Sequence, residues 1–281
     1  MLVIPTKDHS EDKRKKSLAI SLINPFSGKT IRLPELKDPW KNYILWLVED
    51  AYEVFPRKGI LSSDPSLDPD SYQVAIIYSD VSILACFRSG ERDWSFLTLK
   101  KASHFSAVVY HNGLLHGVEH MGTGKVVRVD DVTAATETIV VPRREGPQGG
   151  RTDYLVTTEE GDLLCVQRHL VNNDYDGEFM TFGFEVFKLA QEHSSEQASR
   201  KWTAIDSIGD QALFLGDSNS ECVLASHFPG CKPNCIYYTE YYFNIFPRGP
   251  GDDVGVFNLG TRTFGTIYVP DPAHTPLLPA I

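Results

Sequence analysis

The sequence has few cysteines and no long apolar run, and both features narrow its possible functions. Its 281 residues include 5 cysteines, an odd number that cannot all pair within one chain. No segment reaches the roughly eighteen apolar residues of a membrane helix. The start, MLVIPTKDHSEDKRKK, turns charged after a few residues, and no Asn-x-Ser/Thr glycosylation site occurs. We therefore expect reduced thiols, a cytoplasmic or nuclear location and no membrane partner.

A basic charge surplus is also missing. The formal net charge is −10, and the one basic run, at residues 13–16, is short. Proteins that bind nucleic acids usually carry a basic field, so we expect no nucleic-acid partner. The 42% hydrophobic and 23% charged content is ordinary for a folded protein. The length fits one large β or α/β domain, or two small ones.

What the sequence does have is a series of short segments rich in Val, Ile, Leu, Phe and Tyr. Turn residues such as His-Asn-Gly and Glu-Glu-Gly-Asp separate these segments, and this pattern predicts strands. Residues 41–55 have some helical character but are equally readable as a pair of strands. The predicted strands are 19–24, 74–78, 82–88, 105–110, 125–130, 154–158, 162–169, 184–189, 212–216, 235–239, 254–259 and 266–269.

A weak internal repeat indicates how the strands are arranged. HNGLLHGVEH (111–120) and EGDLLCVQRH (160–169) share a turn, a Leu-Leu pair and a strand. Their separation of roughly 48 residues suits one propeller blade. We predict an all-β propeller of about five or six four-stranded antiparallel blades, forming a single domain over 1–281. Residues 1–17 would be a flexible tail or part of a truncated first blade. A generic β-sandwich is the alternative.

Several sequence blocks resemble one known family. LAISLINPFSGKTIRLPEL (18–36) is similar to the plant F-box-associated β-propeller family, also called the kelch-like DUF295 family. Four further blocks follow in the order of that family, and together they span most of the chain. These blocks are FEVFKL (184–189), WTAIDSIGDQALFLG (202–216), GCKPNCIYYTE (230–240) and DVGVFNLGT (253–261).

The resemblance implies a propeller that binds another protein. In that family an N-terminal F-box engages the Skp1 subunit of a cullin ubiquitin ligase, and the propeller selects the target. Some members bind and restrain shaggy-like kinases in brassinosteroid signalling. Only residues 1–17 precede the family-like text, and they contain no F-box, so a Skp1-type partner is not expected. We expect a regulatory, non-catalytic interaction propeller without a cofactor. The alternatives are a ubiquitin-ligase adaptor, if an F-box lies upstream, and a propeller hydrolase.

Three motifs resemble reactive or metal-binding sites. His116 to His120 spells H-x-x-E-H, but a zinc protease needs both histidines on one helix face. On a strand they lie about 13 Å apart. The Gly122–Lys125 segment has Glu119 where a phosphate loop has its first Gly, so we interpret it as a hairpin turn. Residues 172–177, NNDYDG, lack the Glu of a calcium loop, and we interpret them as a hairpin loop.

Two cysteines, Cys231 and Cys235, lie four positions apart in FPGCKPNCIYYTE. A structural zinc site needs two ligand pairs, whereas the other three cysteines are scattered singly. We therefore interpret Cys235 as a small buried residue and Cys231 as a loop residue, and we expect no metal site and no catalytic residues.

The best candidates for partner contacts are aromatic residues in loops. The segment YYFNIFPR combines aromatic rings with an arginine, the residue types of interface hot spots. Residues 40–46 form a second candidate loop, with a tryptophan at each end. The predicted partner-binding residues are Tyr241, Tyr242, Phe243, Phe246 and Arg248. The alternative is that this insertion packs on its own blade.

Overall fold

The described part of the chain is almost entirely β-structure. The structure, a computed structural model, describes residues 2–6, 17–37, 56–78, 83–97, 105–119, 124–131, 134–142, 150–173, 178–192, 199–216, 219–239 and 253–265. These ranges form five sheets and one short 3₁₀ helix at Ala225–His227. The all-β prediction is therefore confirmed.

The first three sheets have four strands each, and in the second and third each strand lies beside its neighbour in sequence. In the first sheet β2 pairs with β1, β3 and β4. Its strands are β1 (Leu2–Thr6), β2 (Ser17–Ile23), β3 (Thr30–Arg32) and β4 (Leu36–Lys37). The second sheet contains β5 (Pro56–Leu61), β6 (Gln73–Tyr78), β7 (Ile83–Arg88) and β8 (Ser95–Phe96). The third contains β9 (Phe105–His111), β10 (Leu114–Glu119), β11 (Lys125–Asp131) and β12 (Ala134–Val140).

The last two sheets differ from each other in strand order. The fourth is an antiparallel sheet of β13 (Arg151–Thr157), β14 (Leu163–Asn173), β15 (Glu178–Glu192) and β16 (Ser199–Ile205). The fifth has the order β18-β17-β19-β20-β21, in which β17 and β19 run parallel. Its strands are β17 (Gln211–Leu215), β18 (Ser220–Leu224), β19 (Cys235–Tyr238), β20 (Gly255–Asn258) and β21 (Thr263–Gly265).

The predicted strands agree with the observed ones wherever the chain is described. The His-Asn-Gly turn joins β9 to β10 through Asn112 and Gly113, both with positive φ, at 50° and 74°. Such a pair forms the two-residue turn that matches the twist of a hairpin. The related turn at 158–162 joins β13 to β14, so both repeat units connect the first and second strands of a sheet. The predictions for 41–55 and 266–269 lie outside the described residues.

Two compact units divide the chain. The N-terminal unit contains Met1–Glu119 and Val127–Thr138, and the C-terminal unit contains His120–Val126 and Ile139–Ile281. Within the N-terminal unit one buried cluster includes Ile20, Val74 and Trp94, and a second includes Phe105 and Val127. The single-domain prediction for 1–281 stays a prediction. Within the described ranges, no helix is long and apolar enough to cross a bilayer.

The C-terminal unit has its own core between its two sheets. Alternate residues of β13, β14 and β15 point into this core, as the two-residue period of a strand requires. The same holds for β17, β19 and β20, so the inner faces of the fourth and fifth sheets are apolar. The buried cluster is Tyr154, Val156, Leu164, Val166, Phe184, Val186, Ile208, Leu213, Leu215, Cys222, Ile236, Tyr238, Phe257 and Leu259.

Candidate functional site

The predicted partner-binding residues Tyr241, Tyr242, Phe243, Phe246 and Arg248 lie outside the described residues, as does the second candidate loop at 40–46. In sequence the five predicted partner-binding residues fall between β19 and β20. We call this segment, residues 239–254, the β19–β20 connection. These two strands are antiparallel neighbours, with Tyr238 opposite Gly255. Both ends of the connection therefore leave the fifth sheet at one place, which we call its base.

A buried arginine lies at this base. Arg168 on β14 is fully buried. Its Nη2 atom donates to the Asp253 carboxylate at 2.7 Å, and its Nε atom donates to Thr181 Oγ1 at 2.7 Å. Its Nη1 atom donates to the Tyr154 hydroxyl at 3.3 Å. A buried charge is stable only when it is paired and hydrogen-bonded, and these three partners meet that requirement.

One oxygen of the Asp253 carboxylate accepts several hydrogen bonds. Besides Arg168, its Oδ2 atom accepts from the backbone N–H of Thr181 at 3.0 Å and from the Thr181 hydroxyl at 2.7 Å. Hydrogen bonds to a charged acceptor are stronger than neutral ones. Asp253 is the last carboxylate before β20, so these contacts fix the C-terminal end of the connection against β14 and β15.

The N-terminal end of the connection is held by the same arginine. The Tyr238 ring centroid lies 4.8 Å from Arg168 Cζ, within range of a cation–π contact. A Cβ atom on the opposite residue, Gly255, would lie 2.5 Å from the Tyr238 hydroxyl oxygen, so glycine leaves space for the ring. Burial and, to a smaller extent, the Asp253 carboxylate raise the pKa of Tyr238 to about 12, and Arg168 acts in the opposite direction. The hydroxyl therefore stays neutral at physiological pH.

Sequence reasoning missed this network, which we call the Arg168 network. Its members are Arg168, Asp253, Thr181, Tyr154 and Tyr238. The local sequence held one signal, because an arginine in the apolar strand LLCVQRHLV needs a buried partner. Its main partner lies 85 positions further along the chain, a distance that no local pattern spans.

Exposed apolar side chains lie near the base, on β15 and on both faces of the fifth sheet. Met180 and Phe182 flank Thr181, and Val254 follows Asp253. The Phe264 ring lies 6.4 Å from that of Tyr238, and the Phe214 ring lies 4.7 Å from that of Tyr237. These side chains are between 39% and 57% exposed. We call them the base rim, which consists of Met180, Phe182, Phe214, Val254 and Phe264.

The opposite face of the fourth sheet carries a second polar group. The Arg151 Nε atom lies 2.9 Å from Asp153 Oδ1, and His169 Nε2 lies 3.1 Å from Glu185 Oε2. Gln167 lies directly opposite Asp153 in the strand register. Burial raises the pKa of Asp153, although the guanidinium of Arg151 acts in the other direction. These contacts are pairings within the sheet between largely buried groups.

The described part of the H-x-x-E-H segment, residues 116–119, lies on a strand, as predicted. His116 and Glu119 belong to β10, and His120 lies outside the described residues. His116 is buried, with Nδ1 3.2 Å from the Leu114 carbonyl oxygen. A Cβ atom on Gly117 would lie 2.6 Å from the Phe105 ring, so this glycine serves packing. No group of three metal-ligating side chains occurs within the described ranges.

The two other motif-like segments lie at strand ends. Gly124 has φ of +68° immediately before β11, a conformation that favours glycine. Asn172 and Asn173 pair with Phe179 and Glu178 across β14 and β15, as a hairpin requires. The rest of each motif, at 122–123 and 174–177, lies outside the described residues.

The cysteine stretch has the predicted structure. Cys235 is buried at the start of β19, where its Sγ atom accepts from Asn258 Nδ2 at 3.6 Å, and Cys231 is partly exposed in the preceding turn. Burial raises the pKa of Cys235, and it raises that of Cys86 to about 12. A thiol with a raised pKa is a poor nucleophile at neutral pH. The interpretation of Cys235 as a buried residue and of Cys231 as a loop residue is therefore confirmed.

Comparison with known proteins agrees with this architecture. The chain is 24% identical over 250 residues to the putative F-box protein At3g25750 of Arabidopsis thaliana, an alignment that covers 85% of the chain and 65% of that relative. The chain is 26% identical to the putative F-box protein At5g55150 of the same plant, and that alignment covers 79% of the chain and 58% of the relative. It is 21% identical to the F-box protein At2g26160, also from Arabidopsis thaliana, and that alignment covers 85% of the chain and 72% of the relative. The chain thus spans less than two thirds of the first two relatives.

The sequence profile of the KIB1-4 β-propeller family matches residues 4–258, which include all five sheets except β1's first two residues and the C-terminal strand. The predicted relation to plant F-box-associated propellers and the predicted propeller fold are therefore both confirmed. The chain belongs to the KIB1-4 β-propeller family.

Proposed function

We propose that this chain is a regulatory, non-catalytic interaction propeller whose protein partner binds at the base of the β19–β20 connection. The base rim supports this proposal. Its five members are partly exposed, although large apolar side chains are usually buried. A group of exposed apolar side chains is typical of a protein interface.

The Arg168 network gives this surface a fixed support. Tyr238 and Asp253 lie at the two ends of the connection, and Arg168 contacts both of them. A surface that is rigid before binding loses less conformational entropy on association. We propose that the network presents Tyr241, Tyr242, Phe243, Phe246 and Arg248 to the partner together with the base rim.

Affinity capture from Arabidopsis thaliana cells tests the proposal. The tagged chain is expected to recover a protein partner reproducibly, and the variant Phe182→Ser is expected to recover at least about tenfold less, as an interface hot spot would. The control is Phe26→Ser, because Phe26 is 97% exposed in a turn of the N-terminal unit. Equal loss in both variants, or a purified chain that hydrolyses a substrate, would contradict the proposal.

A ubiquitin-ligase adaptor is the second candidate, because the relatives are named F-box proteins and the chain covers only 65% and 58% of the first two. The same capture experiment separates the two candidates. A Skp1-type subunit recovered with the chain would favour the adaptor. A partner recovered without Skp1 would favour an interaction propeller that does not deliver its partner to a ligase.

A further inference from the structure

The outer face of the fifth sheet carries an aromatic pair that does not belong to its core. Phe214 on β17 lies opposite Tyr237 on β19, and their rings stack with centroids 4.7 Å apart and planes within 7°. The neighbours Leu213 and Leu215 point into the core. Phe214 therefore faces outward, and it is 40% exposed.

The pair is held in place before any partner binds. The Tyr237 hydroxyl accepts a hydrogen bond from the backbone N–H of Lys232 at 2.8 Å, which fixes the ring at its far end. The stacked Phe214 ring fixes one of its faces. A ring with a defined orientation is a good platform for a planar group, because little side-chain freedom is lost on binding.

A carboxylate lies on the β18 side of this pair. Glu221 is directly opposite Phe214 in the strand register, and Asn219 donates to its carboxylate at 2.6 Å. The carboxylate of Glu221 makes this side of the Phe214 ring negative, in a chain with a net charge of −10.

We propose that this aromatic pair binds an arginine side chain from a segment of the partner protein. The guanidinium would stack on the exposed face of Phe214 while its N–H groups pair with the Glu221 carboxylate. Arginine suits both contacts, because its planar group stacks on rings and binds carboxylates through two hydrogen bonds, whereas lysine carries a point charge. This proposal rests on the proposed function and adds the chemistry of the partner.

Peptide selection tests the proposal. A displayed library of random twelve-residue peptides is selected on the full chain, with counter-selection on the variant Phe214→Ser. The selected peptides are expected to be enriched in arginine. Replacing that arginine with citrulline, its neutral isostere, is expected to weaken binding about tenfold, because the cation–π contact and the ion pair are lost together.

Variants of the chain locate the contact. Glu221→Gln, which keeps the shape of the side chain, is expected to weaken the arginine peptide about threefold, because the ion pair is lost and the stacking contact is kept, and to leave the citrulline peptide unchanged. Phe26→Ser, the exposed control in the N-terminal unit, is expected to have no effect. Circular dichroism spectra of both variants should match that of the unmodified chain.

Several results would overturn the proposal. These are equal binding of the arginine and citrulline peptides, a selection that yields no peptide dependent on Phe214, and self-association of the chain that Phe214→Ser abolishes. If the capture experiment recovers a partner while the arginine preference fails, the chemistry proposed here is wrong and the interaction function stands. If arginine peptides bind but no cellular partner is recovered, the interaction function fails instead.

Discussion

Replacing Asp253 with alanine is expected to lower the free energy of unfolding of the C-terminal unit by about 3–5 kcal/mol. Asp253 is the anionic partner of Arg168, which is fully buried. Without it, a charged guanidinium would remain in an apolar core beside neutral partners such as Thr181, Tyr154 and the backbone carbonyl of residue 253. Urea denaturation measures the loss, and hydrogen exchange of β14 and β19 shows where protection is lost.

Two further variants make this prediction specific. Asp206→Ala removes an exposed carboxylate from the same unit and is expected to change stability by less than about 0.5 kcal/mol. Arg168→Met combined with Asp253→Ala is expected to be more stable than Asp253→Ala alone, because no unpaired charge remains. If Asp253→Ala behaves like Asp206→Ala, the Arg168 network does not hold the base.

The second large loss of stability is expected when a ring is removed from the aromatic core under the base. Phe184 on β15 is fully buried, with its ring centroid 5.1 Å from that of Tyr238 and 5.4 Å from that of Phe257. Phe184→Ala is expected to cost about 3–5 kcal/mol of stability, since it removes a whole ring and leaves a cavity. Urea denaturation measures this cost, and peptide capture shows whether the base still binds.

Phe182 provides a control on the same strand. It lies two residues from Phe184 but is 57% exposed, so Phe182→Ala is expected to leave stability within about 0.5 kcal/mol. We expect Phe182→Ala to weaken partner binding without lowering stability, whereas Phe184→Ala is expected to lower both partner binding and stability. Equal stability losses in the two variants would show that the packing around Tyr238 is not as described.

The strands of this protein could be predicted from its sequence because their signals are local. An Asn-Gly turn such as Asn112-Gly113 fixes a hairpin through the backbone angles of two residues. Runs such as Gln73–Tyr78 show their strand character through Val, Ile and Tyr alone. A Leu-Leu pair follows the Asn-Gly turn and another follows the turn at 158–162. These pairs indicated the repeat, since each pair begins the second strand of a sheet.

The features that the sequence did not reveal depend on contacts between distant segments. The parallel pairing of β17 with β19 is not a hairpin, so no turn residue marks it. The contact of Arg168 with Asp253 joins two different sheets. The exposure of Phe214 depends on which face of β17 meets the core, and a short apolar strand does not show this.

Site-specific photocrosslinking tests the proposed location of the partner most directly. A benzophenone amino acid is placed at 182 or 214 in the base rim, or at 26 in the N-terminal unit, and the full chain is expressed with its cellular partner. We predict covalent adducts with one partner from positions 182 and 214 and none from position 26. Adducts of that partner from position 26, with none from the base rim, would contradict binding at the base of the β19–β20 connection.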